Sequence, residues 1–99
     1  MRLTQEQIIA IREVAHRLMG EKVIVRVFGS RAMDAGQGGD IDLFFETEAS
    51  LPDRGKLICQ LYGALIMALG DRKIDVIVKD ANTPPAPIFE IARRTGVCL

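Results

Sequence analysis

Apolar positions recur along this chain in two rhythms. From Thr4 to Gly20 the spacing is helical, with Ile8, Ile11, Val14, Ala15 and Leu18 on one side. Thr4 suits the N-cap, Gln7 completes a capping-box pattern, and Gly20 suits the residue past the helix end. Lys22–Phe28 is rich in β-branched residues and alternates, Val23, Val25 and Val27 to one face and Ile24, Arg26 and Phe28 to the other. That strand stops at Gly29-Ser30. A short helical turn through Arg31, Ala32 and Met33 is expected next, followed by a glycine-rich loop over 35–39. Asp40–Phe45 alternates again, Ile41, Leu43 and Phe45 against Asp40, Asp42 and Phe44. Pro52 and Asp53 open a long helix that ends near Gly70, and Lys73–Lys79 predicts a third strand. Pro87 precedes a last helix over Ile88–Arg94, closed by Gly96, with an optional short strand at Val97–Leu99. The order predicts an α+β fold: a small mixed β-sheet with helices packed on it.

The stretch from Leu57 to Leu69 is apolar almost all round, broken only by Gln60 and Gly63. It is too short to span a bilayer, so burial on more than one side is expected, against a partner or a second copy of the chain. The 99 residues suit a single domain over 1–99. Thirteen basic and 13 acidic residues cancel, leaving no net field to draw nucleic acid or an anionic membrane. The N-terminus lacks the apolar core of a secretory signal. Cys59 and Cys98 read as reduced thiols of a cytoplasmic protein and as small buried hydrophobes; Met19 and Met67 read as core filling. His16 reads as a surface residue, and Tyr62 as core or interface.

Chemistry is suggested by three acids in otherwise apolar strands. Asp40 and Asp42, two apart, project from one face with Cα atoms roughly 6.5–7 Å apart. Asp75, midway along the third strand, could join them if the two strands are neighbours. Carboxylates this close repel unless a cation lies between them, and hard oxygen donors favour Mg²⁺ or Mn²⁺ over zinc. Structural alternatives exist: Asp40 could cap its loop, and Asp75 could pair with Arg26 or Arg72. Gly29 would let a phosphate approach the backbone, and Ser30 with the following amides could hold a phosphate oxygen or simply cap the turn. Arg31 is a further phosphate contact or a solvated side chain.

Phe28-Gly29-Ser30-Arg31-Ala32, the glycine-rich loop, Gly39-Asp40-Ile41-Asp42-Leu43 and Lys73-Ile74-Asp75-Val76-Ile77 together resemble the DNA polymerase β-type nucleotidyltransferase superfamily, and within it the minimal nucleotidyltransferase family. The resemblance runs from about Val23 to Val78. Met33-Asp34 stand where the family often has Arg-Gly, and Gly39 where serine is usual. It implies a polymerase β palm-like core, with Gly29 and Ser30 as the phosphate-contacting pair. It also implies Asp40, Asp42 and Asp75 as metal-ligating carboxylates, Asp75 helping to activate an attacking hydroxyl. The implied reaction moves an NMP from an NTP, with ATP the expected donor, to a hydroxyl. The implied partner is a HEPN-domain helical protein for which the chain would act as antitoxin.

Two further readings compete with this one. The chain could neutralise such a partner by contact through its apolar helix, without catalysis or with nucleotide binding alone. It could also act on a small molecule, given a helical domain supplied by another chain.

Overall fold

α1 (Gln5–Met19) begins where the sequence places its cap: the Thr4 hydroxyl accepts the Gln7 N–H, and the Gln7 side chain accepts the Thr4 N–H. The computed structural model describes residues 3–29, 41–70 and 72–99. Four strands follow: β1 (Ile24–Phe28), β2 (Ile41–Glu46), β3 (Ile74–Lys79) and β4 (Val97–Cys98), in the sheet order β3-β2-β1-β4. β1 runs antiparallel to both β2 and β4, whereas β2 and β3 are parallel. Parallel neighbours need a crossover, and α2 (Arg54–Leu69) supplies it. α3 (Pro87–Thr95) precedes β4. The α+β class and the mixed sheet expected from the sequence are what the chain forms.

The two-residue period of the strands divides the sheet into two covered faces. Val25, Val27, Ile41, Leu43, Phe45, Ile74 and Val78 pack against Ile11, Val14, Ala15 and Met19 of α1 and Leu57, Leu61, Leu65 and Leu69 of α2. On the other face Phe28, Phe44 and Ile77 meet Phe89 and Ala92 of α3. Phe44 and Phe89 stack with ring centres 5.5 Å apart. Sheet and helices thus form three layers, which is why Leu43, Phe44 and Phe45 are all buried in succession.

The chain itself buries α2 on one side, and the rest of its apolar surface, expected to meet a partner or a second copy, stays exposed. As an outer layer it turns one leucine stripe inward, leaving Cys59, Tyr62 and Met67 exposed, Met67 to 87%. Met67 and Cys59 are therefore not core residues. Nor is Cys98, because β4 has one neighbour and its side chains project at the sheet edge. β1 starts at Ile24 rather than Lys22, and α3 runs on to Thr95. The expected helical turn at 31–33 and the loop over 35–39 lie outside the described residues. Among the described residues, no helix is long and apolar enough to cross a membrane.

Candidate functional site

The face that carries α3 is ordered in three rows across β1, β2 and β3: Phe28–Asp42–Asp75, then Arg26–Phe44–Ile77, then Ile24–Glu46–Lys79. Residues paired in register project to the same side, so Asp42 and Asp75 stand abreast on adjacent strands about 4.8–5 Å apart at Cα. Phe89 of α3 rests on the middle row through Phe44, while Asp75 in the first row stays exposed. Asp75 has no hydrogen bond or ion pair with another described residue. The structural alternative for it, a pair with Arg26, does not form, because Arg26 is held by Glu46 at 2.9 Å. No pair with Arg72 forms either.

Gly29 is required at its position for two reasons. Its φ of +76° is a left-handed conformation that side chains disfavour. A Cβ there would also meet the Asp42 Oδ2 at 2.5 Å, so the carboxylate lies where a side chain would be. The turn after β1 is thereby pressed against the acid on β2. Of the residues expected to form the site, Gly29, Asp42 and Asp75 come together at one end of the sheet. Ser30, Arg31 and Asp40 lie outside the described residues.

The donors present fit a hard divalent cation. Two carboxylates abreast, one open to solvent, offer the hard oxygen donors such a cation prefers. Among the described residues no group of three His, Cys, Asp or Glu side chains gathers for a metal; the third expected ligand, Asp40, lies outside them.

At the opposite end of the same face the chemistry is structural. Glu46 Oε1 accepts from Arg26 Nη1 at 2.9 Å, and Oε2 accepts from Arg93 Nη2 at 2.6 Å. Arg93 Nε reaches both oxygens. The Arg93 hydrogen bonds hold the Glu46 carboxyl below its ordinary pKa, against the opposing effect of burial, and Arg26 adds to the lowering. Both guanidiniums also lie over the Phe44 ring, at 5.9 and 6.0 Å. Sequence reasoning missed this cluster. Glu46 continues the alternation of Asp42 and Phe44, which was a usable signal, but Arg93 is 47 positions away.

Asp80 was missed as well. It is buried, accepts the Leu51 and Asn82 N–H groups and the Thr83 hydroxyl, and ties the end of β3 to the loop before α2. The Leu51 N–H, then the Thr83 hydroxyl, lower its pKa in spite of burial.

No family model matches the chain, and no curated protein matches it significantly. Solved structures do. A chain from the crystal structure of a mutant of the toxin–antitoxin MntA–HpeT superposes with a TM-score of 0.66 at 21% identity, covering 98% of this chain and 71% of its own. The likeness shows the fold: a small α+β core built on a four-stranded mixed sheet.

Proposed function

We propose that this chain is a minimal nucleotidyltransferase that moves an NMP, with ATP as donor, onto a hydroxyl of a partner protein. The observation that carries the reading is the register that sets Asp42 beside Asp75 on parallel strands, with Gly29 packed against Asp42. Asp42, Asp75 and Asp40 would hold Mg²⁺ or Mn²⁺, which when bound stabilises charge on the entering and leaving oxygens. The acceptor oxygen attacks the α-phosphorus and forms the new P–O bond. The bond from that phosphorus to the bridging oxygen breaks, and pyrophosphate leaves with its electron pair. Asp75, exposed and free of described partners, accepts the hydroxyl proton. The Gly29 turn, with Ser30 and Arg31, would receive the phosphates.

The fold likeness to a chain of a toxin–antitoxin structure supports an antitoxin role, with a HEPN-type toxin as partner and acceptor. The test incubates the chain with α-labelled ATP, Mg²⁺ and the helical protein encoded beside it. Label on the partner, lost with Asp42→Asn, is the expected result; no label in any arm removes the catalytic reading.

One observation favours neutralisation by contact: α2 presents Tyr62 and Met67 to solvent within a stretch lacking charge. A second copy of this chain could occupy the same face. If Asp42→Asn still neutralises the partner while transfer is lost, contact is the antitoxin activity.

A further inference from the structure

The third row of the α3-bearing face opens into a recess, about 13 Å along β2 from Asp42 at strand rise. Its volume is about 310 Å³, at the lower end of the range for small-molecule sites, roughly 300–1,000 Å³. Ile24, half exposed, and Ala49 give it an apolar wall, and Lys22, Arg26 and Thr47 bring donors to it.

Those donors are not all engaged. Glu46 is saturated by Arg26 and Arg93, and Arg93 gives its remaining group, Nη1, to Glu90. Among the described residues Arg26 uses one donor, Nη1 to Glu46. Among the described residues no buried side-chain nitrogen or oxygen lacks a partner, so the rest of the Arg26 fork reaches solvent, and Arg26 lines this recess. The guanidinium is already oriented, held by Glu46 on one side and by the Phe44 ring beneath it. The Thr47 hydroxyl accepts the Ala49 N–H and has its own proton to give. Lys22 is exposed and forms no ion pair with a described residue.

We propose that this recess binds an organic carboxylate with a compact apolar body. Arg26 and Thr47 take the carboxylate, Lys22 supplies a second positive charge, and Ile24 and Ala49 cover the body. A planar two-oxygen anion matches the guanidinium fork, which already donates from Nη1 to one carboxylate oxygen. A phosphate would bring a larger negative charge toward Glu48 on the same wall. The ligand is either a free acid or the terminal carboxylate of another polypeptide. The site is separate from the carboxylate pair and does not depend on nucleotidyl transfer.

The experiment titrates the full chain with benzoate, N-acetylphenylalanine and the neutral benzamide, following backbone amide shifts by NMR. Shifts over 22–26 and 46–49 are expected with one or both acids, and benzamide should bind at least about tenfold more weakly. Tighter benzoate identifies a free acid, and tighter N-acetylphenylalanine a polypeptide end. Arg26→Gln, which leaves Glu46 its Arg93 partner, should weaken the acid at least about tenfold. If that variant loses its native spectrum, Thr47→Val replaces it and should weaken binding about threefold. Equal binding of benzamide and the acids overturns the proposal, as do shifts confined to the Asp42 end or an affinity untouched by the substitution that folds.

Discussion

Asp42 and Glu46 lie four residues apart on one strand, on the same face, and the neighbours described around them differ. Glu46 is half-buried between two arginines that reach both of its oxygens. Asp42 has a second acid beside it, and that neighbour is exposed and unpartnered among the described residues. A fold can hold an acid by neutralising it or by leaving room for a cation to do so. The first arrangement serves the fold, fastening α3 to the sheet across Phe44. The second sets an exposed carboxylate beside Asp42, a pair of hard oxygen donors that a divalent cation would suit. Strand position alone does not distinguish the two; the charges around each acid do.

The largest expected contrast is in activity. Asp42→Asn should lower labelled transfer from ATP by on the order of 10³-fold, as loss of several kcal/mol of charge stabilisation would, while thermal denaturation stays within about 1 kcal/mol of the parent. Glu46→Gln should do the reverse. Two partly buried guanidiniums lose their counter-ion, at about 2–3 kcal/mol by chemical denaturation, and transfer by the folded fraction is retained. Equal effects of the two substitutions on both readouts would dissolve the distinction between the ends.

Much of this architecture was legible in local pattern. The reciprocal Thr4–Gln7 cap and the alternation of Ile41, Leu43 and Phe45 are set by neighbours within a few positions, and both are realised. So is the pairing of Asp42 with Asp75, because alternation assigns each acid a face and the α2 crossover makes their strands neighbours. Exposure was harder to read. Cys59, Met67 and Cys98 are apolar in type, but which stripe of α2 turns inward, and that β4 is an edge, are decided by the layers. The Glu46–Arg93 bond and the Asp80–Leu51 bond join residues 47 and 29 positions apart, and no local spacing announces them. Of the site, Gly29 was readable as a turn residue. Its second role, clearing space for the Asp42 carboxylate, needs the β1–β2 register.

Gly29→Ala tests that second role. Forcing a side chain into φ +76° costs about 1–2 kcal/mol, and the added methyl must displace the Asp42 carboxylate. A modest fall in melting temperature with a near-complete loss of transfer is expected; full activity would mean the contact is incidental. Acid pH separates the two ends as well. The Glu46 pKa is depressed in the fold, so its contribution is complete above its ordinary value of 4.5 and is lost as pH falls through the folded value. Stability plotted against pH should slope downward below 4.5, and Glu46→Gln should flatten the slope. Asp80, depressed from 3.8 in the same direction, keeps a residual slope at still lower pH. An unchanged acid limb in Glu46→Gln would show that the arginines do little for the folded state.

The smallest effect has the most informative sign. Removing Asp75's charge relieves repulsion between acids directly abreast, so Asp75→Asn should stabilise the metal-free protein by a few tenths of a kcal/mol at neutral pH. The opposite direction is expected for Glu46→Gln on the same face. Millimolar Mg²⁺ should reverse the ranking. On the proposed metal site it should stabilise the parent by about 1.4 kcal/mol at tenfold its dissociation constant, and Asp75→Asn by less, because a proposed ligand would be gone. Differential scanning fluorimetry with and without Mg²⁺ reads both signs from four curves. If Asp75→Asn destabilises the metal-free chain, the acid at position 75 supports the fold, and its likeness to Glu46 would be closer than its place beside Asp42 suggests.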